Sequence, residues 1–427
     1  MAVNPIDVDV AIVGAGGAGL SLVMALERAA RRSQVAAPSI AVIDPVHRRE
    51  SDRTWCWWMP THSTPSDTSS LNALAPLLSQ SWSRMELIDR VGRSRTHDLG
   101  SLRYVMLRSS DFYLAADAAL GRLGAEAGWP ESEKARGSGR AQRIAAPVDG
   151  VEDGSEAAVV RAGSIRLRAR WVFDSRPAAP RWAGSTAWLQ HFRGWTVCFD
   201  RPVLDPGLAT LMDFQVPQPG RGVAFAYALP LDDRRALIEY TEFSPQRLAS
   251  AEYDRALSGY LNRRWAVEPG RGVEVEAVEE GVIPMTDAPF ARRVGQRVFR
   301  LGTAGGATRP STGYTFAAMN RQADVVAGLL LAGRTPVPPT PYPARHRWMD
   351  AVLLRALDRG YLRGPELFTG LFADNPSDRV VRFLDGQSGL FDDLALMWTT
   401  PVPPMARATV EDAAARAARR WQSHRNR

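Results

Sequence analysis

A glycine-rich turn between two apolar segments near the N-terminus constrains the fold most. The segment VDVAIV (8–13) is apolar enough to form a buried strand, and GAGGAG follows it directly. The next residues, LSLVMALERA, predict a helix, and a second apolar segment, IAVID, ends at Asp44. This order of strand, glycine turn, helix, strand and acid predicts a βαβ unit that binds a dinucleotide.

The glycines have the spacing of a dinucleotide fingerprint, Gly14-x-Gly16-x-x-Gly19. They permit the tight turn, let the backbone approach a pyrophosphate and allow the helix to pack closely on the strand. We predict cofactor contacts along the strand end and the turn, from Ile12, Val13, Gly14, Ala15, Gly16, Gly17, Ala18 and Gly19. Asp44 can hold ribose hydroxyls, although RRSQVAAPS places it beyond the usual spacing of about 20 residues.

Composition and charge argue against several classes of function. The chain has 427 residues, 45% of them hydrophobic, which is enough for two globular domains. Its net charge of +7 comes almost entirely from scattered arginines, which favours a compositional bias over a nucleic-acid surface. Because the arginines are scattered, we expect no nucleic-acid partner. Cys56 and Cys198 cannot form a metal site by themselves, so we also expect no bound metal.

The sequence carries no signal for secretion and no membrane-spanning segment. The first ten residues contain acids where a signal peptide has basic residues, and the longest apolar run, 323–333, is too short for a bilayer. We therefore expect a cytoplasmic protein with, at most, a peripheral membrane contact. The final segment, EDAAARAARRWQSHRNR, predicts a basic helix that is either a solvated tail or a membrane-surface helix.

The order of segments predicts a nucleotide domain split by a sheet domain. Runs such as WTVCF, VAFAYALP and RALIEY indicate an antiparallel sheet in 186–285. The segments 1–185 and 286–335 would form the α/β, Rossmann-type FAD-binding domain, and 336–427 a mainly helical C-terminal region with the basic tail. This is the layout of hydroxylase-like FAD enzymes, with an interleaved antiparallel-sheet substrate domain.

Several segments in order resemble the FAD-dependent lycopene cyclases, the β-cyclase family of carotenoid synthesis. They are DRTWCWW, YVMLRSSDFY, VFDSRP, QHFRGWTV, MDFQ, YALP with RALIEYTEFSP, GVIPM and GTAGGATRPSTGYTF. The last segment is the most discriminating, because flavin hydroxylases usually have Asp after its first glycine and this chain has Thr303. Pro310, Thr312, Gly313 and Tyr314 match the cyclase pattern. The resemblance implies further FAD contacts from Arg108, Gly302, Gly305, Gly306 and Gly313.

Glu239, in RALIEYTEFSP, is the candidate catalytic residue. Strand alternation alone would let it face solvent together with Thr241. The resemblance instead aligns it with the acid that is assigned as the proton donor of the cyclases. Where many relatives have a second acid, this chain has Tyr240, so we expect one acid rather than an adjacent pair. Glu242 would point to the opposite face of the strand.

The expected chemistry requires an un-ionised acid. Protonation of a terminal alkene at C2 creates a tertiary cation, which the C5=C6 bond attacks before a proton leaves C6. Burial, which raises a glutamate pKa from about 4.3 by up to about 3–5 units, would keep Glu239 protonated. The cation needs an anion or a π-face nearby. Candidates to line the substrate site, each alternatively ordinary core, are Trp55, Trp57, Trp58, Trp195, Tyr240 and Tyr314.

The resulting hypothesis is a lycopene β-cyclase, an isomerase that uses reduced FAD without net redox chemistry. NAD(P)H would be the reductant and lycopene or a related acyclic carotenoid the substrate. The protein would act while peripherally bound to the inner face of the membrane. One alternative is a redox flavoenzyme, such as a hydroxylase or a prenyl or carotenoid reductase. A second is a nucleotide- or carotenoid-binding protein without turnover. The ring type and the number of ends that are cyclised stay open.

Overall fold

The structure is a computed structural model that describes residues 6–47, 50–62, 67–125, 141–177 and 186–425. Within these residues the chain forms three β-sheets and ten α-helices.

The first sheet has seven strands and a parallel centre. Its strands are β1 (Ile6–Val13), β2 (Ile40–Ile43), β8 (Ala141–Ile144), β9 (Gly150–Glu152), β10 (Ala158–Ala162), β11 (Ile165–Asp174) and β18 (Val298–Arg300). β1 lies between β2 and β11, and both run parallel to it. β8 extends the parallel part beyond β2, β18 pairs with the end of β11, and β10 and β9 form an antiparallel edge. The VFD of the segment VFDSRP forms the end of β11, where it runs parallel to β1.

The second sheet is almost entirely antiparallel and has eight strands. They are β5 (Arg84–Ile88), β6 (Ser94–Asp98), β12 (Ala187–Phe199), β13 (Leu208–Asp213), β14 (Val223–Pro230), β15 (Arg235–Ser244), β16 (Glu268–Pro269) and β17 (Gly272–Thr286). Their order is β16-β17-β12-β15-β14-β13-β5-β6, and only β16–β17 and β13–β5 are parallel. β5 and β6 come from the N-terminal segment of the chain, an exchange of strands that the sequence did not reveal.

A third sheet joins the other two. Its strands are β3 (Thr54–Pro60), β4 (Gln80–Trp82) and β7 (Leu102–Arg108), in the order β3-β7-β4. All of its pairs are antiparallel. Because successive residues of β3 point to opposite sides, one side of this strand meets the first sheet's helices and the other meets the second sheet.

The helices occupy the faces of the sheets. They are α1 (Gly17–Ser33), α2 (Ser70–Ala73), α3 (Ser109–Ala125), α4 (Ser250–Trp265), α5 (Phe316–Leu331), α6 (Ala344–Asp358), α7 (Gly364–Asp374), α8 (Ser377–Leu384), α9 (Leu390–Thr399) and α10 (Val402–Arg425). On the first sheet, Val10 and Ile12 pack with α1, α3 and α5, while Ala11 and Val13 belong to a separate core on the other face. A central parallel strand that is covered on both faces is apolar, as Val10–Val13 is, whereas Asp9 before it is exposed.

Helices also cover both faces of the second sheet. α4 packs on one face, in a core that includes Ile238 and Tyr240. α6, α7 and α8 pack on the other face, in a core that includes Leu237 and Phe243. The predicted fold class, an α/β nucleotide-binding fold with an interleaved antiparallel sheet, is confirmed.

The C-terminal helix begins earlier than the sequence suggests and is docked on the fold. α10 starts at Val402, and Ala408 is buried against Val352 and Ala356 of α6. The side chains from residue 418 onward, including Trp421 of the predicted basic helix, lie outside the described part of the chain. Among the helices that are described, none has the length and apolar character needed to cross a membrane.

Candidate active site

The first glycine turn has the geometry that close helix–strand packing requires. Gly14 has φ +96°, a left-handed value that favours glycine, and its N–H donates to the carbonyl of Ile43. A Cβ on Gly19 would lie 2.1 Å from the carbonyl oxygen of Gly14 and 2.9 Å from Cγ2 of Ile12. Any larger residue at position 19 would therefore push α1 away from β1.

The N-terminus of α1 is open in the way a phosphate site requires. A Cβ on Gly16 would meet no described atom within 4 Å, so the backbone is approachable here. The first turn of α1 contains no acidic side chain and receives no side-chain cap. Its N–H groups and the helix dipole thus favour an anion, and the residues fit the pyrophosphate of a dinucleotide.

Asp44 closes the turn from the end of β2. One of its carboxylate oxygens accepts from the N–H of Ala15 at 2.7 Å and the other from the N–H of Val46 at 2.8 Å. The carboxylate therefore braces the glycine turn. Its expected contact with ribose hydroxyls stays a prediction.

The late glycine loop packs on the first one. Gly302 has φ +59°, and a Cβ there would lie 2.5 Å from Cβ of Ala18. Gly306 has φ +79° against Phe290, and a Cβ on Gly305 would be 2.5 Å from the carbonyl oxygen of Arg300. The structure thus brings the two predicted glycine segments together at the start of α1.

Two other predicted cofactor residues lie at the margins of this region. Gly313 has φ +71°, and its Cβ would lie 1.9 Å from Oε1 of Gln190, so this glycine allows the loop to approach the second sheet. Arg108, the last residue of β7, is exposed and pairs in register with Thr54 of β3. Their cofactor contacts, like those of the glycine turn, remain predictions.

Glu239 lies in the interior, not on the surface. Only 1% of its surface is exposed, so the alternative that it faces solvent is wrong. The hydroxyl of Thr241 donates to its Oε1 at 2.5 Å, while Oε2 has no hydrogen-bond partner among the described residues. Burial, reinforced by the charge of Glu279, raises the pKa of the Glu239 carboxyl well above its ordinary value.

The groups around Glu239 are weak acids that stay neutral. Tyr227 of β14 is its register partner, and Cys56 and Tyr104 approach from β3 and β7 of the third sheet. Burial raises the pKa of all three side chains. None of them offers a cation, and the hydrogen bond from Tyr227 lowers the pKa of Glu239 by less than burial raises it.

A second carboxylate, Glu279 of β17, lies beside the first, and the sequence did not reveal it. In the sheet, Gly194 of β12 is the register partner of Glu239 on one side and of Glu279 on the other. A Cβ on Gly194 would be 3.2 Å from Cγ of Glu279 and 3.5 Å from Cβ of Glu239. The expectation of a single acid is therefore corrected: no acid adjoins Glu239 in sequence, but one comes from another strand.

The aromatic residues predicted to line the substrate site do not all lie on the same side of their strands as Glu239. Trp195 and Tyr240 lie on the face of the second sheet that α4 covers, opposite to Glu239, because each adjoins a residue of the Glu239 side in its strand. Trp55 and Trp57 turn away from Glu239 to pack on Phe316, with ring centroids 4.9 and 4.8 Å from its ring. The expectation that these four line the site of Glu239 is corrected accordingly.

Tyr314 lies on the Glu239 side, beside an apolar cavity. The cavity has a volume of about 70 Å³, and its walls include Tyr104, Gln190, Tyr227, Tyr314, Phe368 and Leu384. Tyr227 separates it from Glu239. Trp58, another predicted π-face, packs against Tyr104 with ring centroids 4.4 Å apart and the ring planes tilted by 35°.

Strand β3, from the predicted DRTWCWW segment, links the glycine turn to the acids. A Cβ on Gly17 of the turn would lie 3.1 Å from Cζ2 of Trp55. On the other side of the strand, the hydroxyl of Thr54 donates to Oε2 of Glu279 at 2.8 Å. The two predicted parts of the site thus lie on opposite sides of one strand.

Comparison with known proteins identifies the family of this chain. The family model described as "Lycopene cyclase protein" matches residues 9–410. A lycopene beta-cyclase of Paracoccus sp. (strain N81106 / MBIC 01143) is 28% identical over 424 residues, covering 94% of this chain and 96% of the relative.

Solved structures share the fold at low identity. A geranylgeranyl bacteriochlorophyll reductase-like protein from Thermoplasma acidophilum has a TM-score of 0.62 at 11% identity, covering 96% of this chain and 100% of its own. A flavoprotein/dehydrogenase from Cytophaga hutchinsonii has a TM-score of 0.57 at 13% identity, covering 96% and 99%. With a family model that spans nearly the whole sequence, the chain belongs to the lycopene cyclase family.

Proposed function

We propose that this protein is a lycopene β-cyclase, which converts linear carotenoid ends into β-ionone rings by acid catalysis. The observation that carries the proposal is Glu239, a buried carboxyl held in its protonated form beside an apolar cavity. An alkene is a poor base, so its protonation needs an acid that water does not solvate. The relatives that are lycopene beta-cyclases support the same conclusion.

In the proposed reaction, the carboxyl of Glu239 donates its proton to C2 of the terminal alkene. The C5=C6 bond attacks the resulting cation, and loss of a proton from C6 completes the ring. Protons gained and lost are equal, so the product is an isomer of the substrate. The neutral phenols of Tyr104, Tyr227 and Tyr314 and the indole of Trp58 offer π-faces to the cation.

We infer that the two glycine loops hold FAD. The N-terminal turn would bind the pyrophosphate, Asp44 the ribose, and the late loop with the start of α5 the remaining part of the cofactor. When bound and reduced, with NAD(P)H as the reductant, this group supplies negative charge near a developing cation without net redox chemistry. We retain the division into a split FAD domain (1–185, 286–335), a sheet domain (186–285) and a helical C-terminal region (336–427) as part of the proposal.

The cavity is smaller than its proposed occupant. Ligand pockets are commonly about 300–1,000 Å³, against about 70 Å³ here. We propose that the carotenoid end enters by displacing the side chains of Phe368 and Leu384, which α7 and α8 contribute to the cavity wall. The route would begin at α9, which packs on both of these helices.

α9 presents an apolar surface that fits a lipid bilayer. Its exposed apolar face consists of Leu390, Phe391, Leu394, Met397 and Trp398. Phe391 and Trp398 are 87% and 89% exposed, unusual values for such large apolar side chains. The only charges of α9, Asp392 and Asp393, are paired with Arg379 at 3.0 Å and Arg345 at 2.7 Å. We propose that this face contacts the inner membrane surface, from which the substrate is drawn.

Production of the protein in cells that accumulate lycopene tests the reaction. Chromatography should show cyclic carotenoid, and the purified protein should be yellow with flavin. In anaerobic assays with pre-reduced FAD, product should exceed one equivalent per flavin without further reductant. Reductant consumed once per product molecule would favour the reductase alternative, and lycopene left unchanged would contradict the cyclase.

Sedimentation with anionic phospholipid vesicles tests the membrane contact. Replacing both Phe391 and Trp398 by Asp should release most of the protein from the vesicles, because two charges would enter the bilayer surface. Val410→Asp is the control, since Val410 is 69% exposed on α10, away from the α9 face. Equal sedimentation of all three proteins would refute the role of α9.

A further inference from the structure

We propose that Glu239 and Glu279 form a carboxyl pair that holds one proton across neutral pH, with Glu279 as its ionised member. In this pair Glu279 is a positioning residue: its negative charge sets the proton affinity of Glu239. The inference rests on the proposed function for its consequence in catalysis. The pair itself follows from the sheet geometry.

The sheet brings the two acids together through a glycine. Glu239 and Glu279 flank Gly194 on the same face of three adjacent strands, β15, β12 and β17. Any side chain at position 194 would extend into the space between them, since its Cβ would lie 3.2 Å from Glu279 and 3.5 Å from Glu239. With glycine there, residue 194 places no side chain between the two acids, and Cδ1 of Leu237 borders the same position at 3.2 Å.

The surroundings distinguish the two members. Glu239 is fully buried, and the groups that offset its burial are two neutral hydroxyls, those of Thr241 and Tyr227. Glu279 is half-buried, accepts from Thr54 and has the Arg53 guanidinium as a nearby positive charge. Ionisation is therefore easier at Glu279. Two carboxylates that share a site cannot both ionise near neutral pH, so the proton remains on Glu239.

The remaining groups that face the pair do not compete for this proton. Cys56, Tyr104 and Tyr227 stay neutral, because burial raises the pKa of each. Asp52 carries a negative charge near Glu279 and opposes the effect of Arg53 there. Burial, partly offset by Thr54 and Arg53, also raises the pKa of Glu279. The titration of this region is therefore that of the two glutamates.

The pairing makes a directional prediction about pH. Cyclisation requires protonated Glu239, so activity is present below its pKa and is lost as the pH rises through it. Glu279→Gln removes the neighbouring charge, and we expect this alkaline loss to move to lower pH by at least about one unit. Glu279→Asp keeps the charge and should leave the midpoint near its wild-type position. Glu276→Gln, in the same strand but paired with Arg235 at the surface, is the control.

Infrared titration of the flavin-loaded protein without carotenoid tests the pair independently of turnover. The carbonyl band of the buried protonated carboxyl should vanish in Glu239→Gln and should titrate at lower pH in Glu279→Gln. A band that persists in Glu239→Gln, or a midpoint unmoved by Glu279→Gln, would overturn the pair. If the titration behaves as expected and lycopene is nevertheless left unchanged, the proposed function fails and the pair stands.

Discussion

Strand β15 carries two buried acids, one on each face, and they differ in how they are held. Glu239 is 1% exposed and Glu242 4% exposed, so burial does not separate them. Glu242 accepts a hydrogen bond from Tyr240 and lies 3.8 Å from His191, in a polar cluster that α4 closes. Glu239 has only neutral hydroxyls as donors, together with a carboxylate neighbour and a nearby cavity. A buried acid is thus a candidate for proton transfer where its surroundings leave it under-bonded, not simply where it is buried.

The largest expected effect is on activity. Glu239→Gln has no proton to give, so cyclisation should fall by at least about 100-fold, in the range that general-acid catalysis contributes. Glu242→Gln should stay within a few-fold of wild type, because Glu242 points to the other face. Carotenoid product per bound flavin, measured by chromatography on both purified variants, makes the comparison. Equal losses in the two variants would remove the distinction between the faces.

For the free energy of unfolding we expect the reverse order, with a larger loss on replacement of Glu242 than of Glu239. Glu242→Leu breaks the hydrogen bond from Tyr240 and should lower the free energy of unfolding by about 1–3 kcal/mol. Glu239→Leu should be neutral or stabilising, since it replaces a poorly bonded buried carboxyl by an apolar side chain. Urea denaturation of both variants at neutral pH provides the measurement. A larger loss at Glu239 than at Glu242 would show that Glu239 has a structural role.

The sign of the pH dependence sharpens this comparison. The folded-state pKa of Glu239 is raised above its unfolded value of about 4.3, so its contribution to stability is lost as the pH rises beyond that value. Glu239→Leu lacks this loss. The melting temperature of Glu239→Leu should therefore rise relative to that of wild type as the pH is raised from 4 to 8. A difference between the two melting temperatures that stays constant with pH would contradict the raised pKa.

The smallest effect should come from His191 on the Glu242 face. Burial, with the charge of Arg247, lowers the pKa of His191 to about 4. Its ring also contacts Ser244 and Tyr253, at 2.8 and 2.6 Å. In the unfolded chain the pKa of a histidine is about 6.5, so between pH 6.5 and 4 the unfolded state binds a proton that the folded state does not. The free energy of unfolding therefore decreases as the pH falls through this range. His191→Gln should narrow the difference in melting temperature between pH 7 and pH 5, and an unchanged difference would refute the assignment.

Local patterns made much of this molecule predictable. The βαβ unit follows from residues 8–44, where glycine spacing and apolar runs are read directly from the sequence. Glu239 is singled out by the resemblance to the cyclases, because strand alternation alone would let it face solvent. Glu279 was missed because it is 40 residues away, and only the register through Gly194 makes the two adjacent.

Strand alternation explains the errors among the aromatic residues. Tyr240 directly follows Glu239, and Trp195 directly follows Gly194, so both must face away from the acid. In β3, the same rule directs Cys56 to the acid and Trp55 and Trp57 to Phe316. The rule could have been applied to each strand by itself. The packing partner of each face could not, because it depends on segments such as α4 and α5 that are distant in the chain.

The contact between the two glycine loops bears on the order of events during synthesis. Gly16 leaves the ribosome early, but Gly302, which packs on the same turn through Ala18, follows 286 residues later (302 − 16). At about 5–20 residues per second, roughly 15–60 seconds separate the two. β18, which completes the parallel pairing of β11, is equally late. The nascent chain must therefore keep its first βαβ unit soluble and incomplete, and capture of the proposed flavin would be a late, nearly post-translational event.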